Sequence, residues 1–351
     1  MSSPSNKSIN SKSSLSVQTI VLSAVSWAVL ALLFFLLFSI SAPGEERPAW
    51  YAIGTYIFEE VAYLGAALLC LRNWRSPQIV SGRNVWLGIG LGMLSYFLGN
   101  LVLGYWELGL GQEPAVSPGD FFFVATYLFL GWGILLAVLS RRLNLEKWQW
   151  GVVGAIAVIG GLLAWLLGAP ASEAQALWMP PAVAQTAPAP KTTPQPKAVK
   201  APPVQPIKAA APATKAPTAT PAPTATPGAT DQPAPPAWVT NVETTLAPLE
   251  PILTWFYIVS DLGLLIIATV LLLAFWGGRF SQSWRMIAAA AFSLYIADIW
   301  FQYAQKNIPD YQTGSLPEVF WVFSGVLFGI GAALEFDLST RSRRTPGRRR
   351  A

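Results

Sequence analysis

Several apolar runs of 20 residues or more, divided by short charged connections, restrict this chain to one class of structure. A run of that length spans a hydrocarbon core of about 30 Å as a helix. Inside lipid the backbone must satisfy its own hydrogen bonds, so helices are what such runs form. Only 12% of residues are charged, about half the share carried by an ordinary soluble domain. The sequence predicts an all-α polytopic membrane protein with eight spans, at 17–40, 50–72, 85–108, 119–140, 149–168, 252–277, 283–304 and 317–337.

Charges in the short connections set the expected orientation. Lys7 and Lys12 precede the first span, and Arg72, Arg75 and Arg83 join the second to the third. Arg141, Arg142 and Lys147 join the fourth to the fifth, and Arg279 and Arg285 the sixth to the seventh. A tail from 338 to 351 carries Arg341, Arg343, Arg344, Arg348, Arg349 and Arg350. The alternate connections are poor in Lys and Arg and hold Glu45, Glu46, Glu107, Glu113 and Asp310. Both termini are therefore expected in the cytoplasm of a cell-membrane protein, which an even number of spans also requires. The arginine tail is expected to contact anionic lipid headgroups. Its charge, and the net +5 of the chain, point to membrane lipids and give no sign of nucleic acid. Trp74, Trp86, Trp106, Trp148, Trp150, Trp276 and Trp284 fall at predicted span ends, where indoles form an interfacial belt.

Residues 169–250 are a different material, rich in Pro, Ala and Thr, with too little apolar side chain to form a core. They read as a disordered outer loop between a first bundle (17–168) and a second (251–337), after a cytoplasmic segment at 1–16. The loop is either inert or a tether to a partner.

The stretch SPGDFFFVATYLFLGWG at 117–133 recurs 198 residues later as SLPEVFWVFSGVLFGIG. At that offset, without gaps, Trp86 meets Trp284, Ser95 meets Ser293, Tyr105 meets Tyr303, and Gly131 and Gly133 meet Gly329 and Gly331. An offset of four spans makes corresponding helices parallel, so a 4+4 parallel internal repeat is expected, with a site between its halves.

Chemistry is narrowed by what is missing. The chain has no histidine and one cysteine, Cys70. It can build no His-ligated zinc or haem, no Ser-His-Asp triad and no intramolecular disulfide. No cofactor, metal or catalytic residue is indicated, so the reading is non-enzymatic. The diglutamate Glu59-Glu60 lacks the arginine and histidines of the intramembrane proteases that use such a pair.

Two kinds of acid remain. Asp120 and Glu318 follow serines by three residues, with Pro118 and Pro317 near the first turn, in the form of capping boxes. A cap accounts for both; ligand or cation binding is the alternative. Glu59, Glu60, Asp261 and Asp298 lie within spans, with Asn100 at the repeat position of Asp298. Buried ionisable groups face a bundle interior or cavity and find a partner there. No basic residue is expected at their depth, so these acids carry a proton, hold a cation or bond to polar neighbours. With Gln302, Tyr63, Tyr257 and Tyr295 they form a candidate ligand or ion pocket in the outer half of the membrane. Gly88-x-x-x-Gly92 and Gly325-x-x-x-Gly329 are expected to let helices approach closely.

Residues 297–333 carry Asp298, Tyr311, Gly314, Glu318 and Trp321 in an order that resembles the sensory membrane modules found ahead of bacterial diguanylate cyclases and kinases. The first copy matches partly, through Asn100 and Asp120. The resemblance implies a sensor-like ligand-binding module. Only 14 residues follow the last predicted span, so output would pass to a separate membrane or cytoplasmic protein. A small-solute or cation carrier, and an accessory subunit of a larger membrane complex, are the other readings.

Overall fold

A computed structural model describes residues 16–40, 47–112, 114–139, 145–168, 235–274, 281–308 and 311–344. Lys7, Lys12, Glu45, Glu46, Glu113, Arg141, Arg142, Trp276, Arg279, Asp310, Arg348, Arg349 and Arg350 lie outside them, as do the side chains of Arg343 and Arg344 and the segment 169–234.

Among the described residues the protein is all-helical. The helices are α1 (Val17–Phe38), α2 (Ala49–Arg75), α3 (Arg83–Gly104), α4 (Asp120–Leu139), α5 (Lys147–Gly168), α6 (Ala237–Leu246), α7 (Glu250–Ala274), α8 (Ser281–Asn307) and α9 (Val319–Arg344). Among the described residues seven helical segments are long and apolar enough to cross a membrane, and α5 carries a shorter apolar stretch over Lys147–Leu163. An integral, multi-pass membrane protein follows.

The ends of the helices have local causes. Ser16 accepts the Thr19 N–H at 3.1 Å and starts α1, and Pro48 stands immediately before α2. α3 runs into a π-helical turn, Tyr105–Gly109. The wider turn rotates Trp106 inward and sends Glu107 toward α2.

Two boundaries differ from the sequence reading. The loop assigned to 169–250 is helical from 237 onward: AWVTNVETTL is free of Pro and Gly, and Pro236 caps it. Val239 is buried and Trp238 meets Trp106 edge-on at 5.5 Å, so apolar contacts hold α6 in place. The arginine tail assigned from 338 is helical as far as Arg344. Arg341 pairs with Asp337 one turn earlier at 2.8 Å while remaining largely exposed, an ordinary i,i+4 pair on a helix surface.

Six helices close a ring of neighbours: α2 packs on α3, α3 on α4, α4 on α7, α7 on α8, α8 on α9, and α9 returns to α2. α1 lies against α9 and α2, and α5 against α7 and α8. Glycines set the closest approaches. A Cβ at Gly88 would stand 2.6 Å from Gly133 Cα, and one at Gly133 would stand 2.7 Å from the Ile89 nitrogen and 2.9 Å from the Val85 oxygen. Backbone touches backbone there, so no side chain can yield.

The interior at the cytoplasm-assigned end combines an aromatic and aliphatic core with a few buried polar side chains, Asn73, Ser283, Glu335 and Ser339. Trp86 and Trp284 are wholly buried and face each other with ring centroids 6.0 Å apart, amid Ile89, Ile134, Leu271 and Ile287. These two indoles were expected in the interfacial belt. They lie instead in the core, because hydropathy fixes how deep a residue sits along a helix and not which face carries it. Trp148 and Trp150 do present exposed indoles.

Candidate functional site

Most of the acids expected to be functional gather at the opposite end of the bundle, where α2, α4, α7 and α9 begin and α3 and α8 finish. Residues that the sequence scatters over 270 positions meet there in four groups.

In the first, Glu318 is the clasp of the loop between α8 and α9. Its Oε2 accepts the Gly314 N–H at 2.5 Å, and its Oε1 accepts from Ser315 Oγ at 2.8 Å and from the Tyr311 hydroxyl. Trp300 Nε1 donates to Ser315 Oγ at 2.6 Å. Gly314 has φ +99°, a conformation that glycine alone adopts readily, and its carbonyl accepts from Tyr51 OH at 2.6 Å. The Arg47 guanidinium donates to the carbonyls of Gln312 (2.6 Å), Thr313 and Ser39 (3.2 Å). Burial, and then the adjacent Glu318 carboxylate, raise the Tyr311 hydroxyl well above the usual phenol range, so it stays a donor.

The second group is the counterpart at α4. Asp120 Oδ2 accepts the Ser117 N–H at 2.8 Å, and Ser117 Oγ accepts the Gly119 N–H at 3.1 Å. Asp120 supplies the carboxylate half of a capping box, while Ser117 Oγ takes the N–H two residues on and the Asp120 N–H goes to the Ser117 carbonyl. Asp120 has a second bond, from Tyr257 OH on α7 at 2.6 Å, so its carboxylate also ties two helices together. Glu318 departs from the box, since Ser315 caps no backbone group.

In the third group Asn100 Nδ2 donates to Glu59 Oε2 at 2.8 Å, and Tyr56 OH donates to Glu107 Oε2 at 2.8 Å. In the fourth, Tyr127 OH stands 2.7 Å from Asp261 Oδ1 and 2.9 Å from Asp298 Oδ2, while Trp321 Nε1 donates to Asp298 Oδ1 at 2.7 Å. The two aspartates are within hydrogen-bond reach of each other. Tyr63, stacked on Tyr96 at 3.7 Å, lies within electrostatic reach of both Glu59 and Asp298 and so joins the third group to the fourth.

The structure thus pairs Glu59 with Asn100 and Asp261 with Asp298, and brings Tyr63 and Tyr257 to them. Tyr295 turns its hydroxyl to the Gly160 carbonyl at 3.5 Å. The Glu60 carboxyl and Gln302 Oε1 are buried atoms without a hydrogen-bond partner among the described residues. None of Glu59, Asp120, Asp261, Asp298 and Glu318 pairs with a lysine or arginine among the described residues. Tyr56, Tyr96, Tyr127, Trp300 and Arg47 belong to the site and went unnoticed in the sequence. A signal for Tyr127 existed: it follows Asp120 by seven residues, two turns on the same face, while Tyr257 and Asp261 are four apart. The two pairs form a ladder across α4 and α7.

Glu318→Ala is expected to destabilise the protein by about 3 kcal/mol, since it strands a buried backbone N–H and two hydroxyls. Glu318→Gln keeps the shape and one carbonyl acceptor and should lose about half as much. Thermal unfolding in detergent ranks the two; an unmoved midpoint for Glu318→Ala would remove the clasp from this description.

No family model, no curated protein and no solved structure matches this chain.

Proposed function

We propose that this protein is a non-enzymatic, sensor-like membrane module that binds a small ligand or a partner through the acid-rich end, which faces outward by the positive-inside rule. The observation that carries the reading is the concentration of buried acids at that end: Glu59, Asp261 and Glu318 lie there, against Glu335 at the other. Beyond Asp261, Ile89, Leu130, Ile134, Leu271, Trp86 and Trp284 fill the interior without exposed surface, and Asn73, Ser283 and Ser339 are buried beside Glu335 at the far end. A binding site needs one opening, and the acids supply its chemistry at one end.

The reading includes eight spans in two parallel copies. Supporting it, α8 begins 198 positions after α3, the ring is unchanged in its neighbour pattern when the two sets of three helices are exchanged, and Trp86 touches its counterpart Trp284. The order of Asp298, Tyr311, Gly314, Glu318 and Trp321, which resembles that of sensory modules, also supports it, with output passed to a separate protein.

The test uses the full chain in nanodiscs and in sealed liposomes. Tryptophan fluorescence is followed during pH steps and additions of sodium, potassium, magnesium or calcium, because Trp300 and Trp321 bond directly into the network. A response that Asp298→Asn abolishes, with the unfolding midpoint within about 1 kcal/mol of wild type and no flux into liposomes, is expected. Flux of the same solute, or lost folding with an unchanged response, would overturn the reading in favour of carriage or structural glue.

A further inference from the structure

We propose that the Asp261–Asp298 pair is a binding site for one exchangeable proton, which rests on the binding reading above and names its ligand. The first support is a count of hydrogens. Tyr127 owns one hydroxyl hydrogen, yet its oxygen is 2.7 Å from one aspartate oxygen and 2.9 Å from another. One contact takes that hydrogen. The other aspartate oxygen faces a hydroxyl lone pair, which a neutral carboxyl tolerates better than a carboxylate does. A pair of bare carboxylates therefore leaves two anionic oxygens facing a single donor.

The second support is burial. Asp261 is 2% exposed, and its Oδ2 has no hydrogen-bond donor among the described residues. Leaving a charged oxygen so placed costs several kcal/mol in a membrane interior. A proton held between Asp261 and Asp298 turns that oxygen into a donor toward its neighbour and leaves one negative charge on the pair. Trp321 N–H and Tyr127 O–H then stabilise that remaining charge.

Tyr63 is within electrostatic reach of Asp298, and its buried hydroxyl lies beside those of Ser324 and Tyr96. The other titratable groups facing the pair are phenols: Tyr63 and Tyr96 from α2 and α3, Tyr257 from α7 and Tyr295 from α8. None is a base. The nearer carboxyls, Glu59 and Asp120, are engaged by Asn100 and Tyr257.

Infrared difference spectroscopy of the full chain in nanodiscs, titrated with pH in water and in heavy water, tests this. The wild type should show a protonated-carboxyl stretching band that shifts in heavy water, titrates as one group and disappears in both Asp261→Asn and Asp298→Asn. Tyr127→Phe, which removes a hydroxyl and little volume, should keep the band and move its position; it decides the matter even if the aspartate variants do not fold. A band unchanged in all three variants, or no titrating carboxyl in the wild type, would overturn the proposal. So would loss of the band on adding sodium at fixed pH, which would make the site a metal-ion site. Should fluorescence respond to a solute while no carboxyl titrates, the proton fails and the binding reading stands.

Discussion

Gly133→Ala is expected to lower stability by about 3 kcal/mol or more, although it adds a single methyl group. The methyl would stand 2.7 Å from the Ile89 nitrogen and 2.9 Å from the Val85 oxygen, so α3 and α4 would have to separate along their contact. Side-chain overpacking can be relieved by a rotamer change; this clash cannot. Gly329→Ala provides the control, because its methyl would meet nothing closer than 3.6 Å, and it should stay within about 0.5 kcal/mol of wild type. Unfolding midpoints and size-exclusion profiles in the same detergent compare the two. Equal behaviour would mean that α3 and α4 do not approach as described.

Trp284→Ala should cost about 3–5 kcal/mol, the range for emptying a buried aromatic site. Trp284 has no exposed surface and sits against Trp86, so its removal leaves a void shared by both halves of the ring. Trp86→Ala should cost a similar amount and also release Ser81 Oγ, which accepts the Trp86 indole N–H at 2.8 Å. The double variant should lose less than the sum, by about 0.5–1.5 kcal/mol, the coupling expected of an aromatic pair. Strict additivity would indicate that the rings are not in contact. Belt tryptophans facing lipid should behave differently: Trp148→Ala and Trp150→Ala should leave the midpoint nearly unchanged.

These two positions also show what the sequence could and could not reveal. Seven of the expected spans coincide with helices long and apolar enough to cross a membrane, because a long apolar run in lipid has one outcome; the fifth, on α5, has only a shorter apolar stretch. The faces of the spans were not legible, since a membrane helix is apolar all round, and so Trp86 and Trp284 were assigned by depth alone. The close glycine contact expected of Gly88 is present, but its partner Gly133 comes from a different helix and no motif links them. Helix α6 was hidden by the composition of its proline-rich neighbours. At the candidate site the acids stood out as charges in an apolar setting. Their partners did not: a tyrosine such as Tyr127 is unremarkable in a membrane helix until the fold sets it between Asp261 and Asp298.

The return of α9 onto α2 has a consequence for biosynthesis. Asn73 on α2 donates to the Ala332 carbonyl on α9, and Arg47 grips the carbonyls of Gln312 and Thr313. These partners are made some 260 residues apart, a delay on the order of tens of seconds at ordinary translation rates. Throughout that interval the first helices stand in the bilayer with Asn73 and the α9-facing side of α2 uncovered. Assembly of the ring is therefore a late event, completed when α9 leaves the ribosome, and the insertion machinery must tolerate an open half-structure until then.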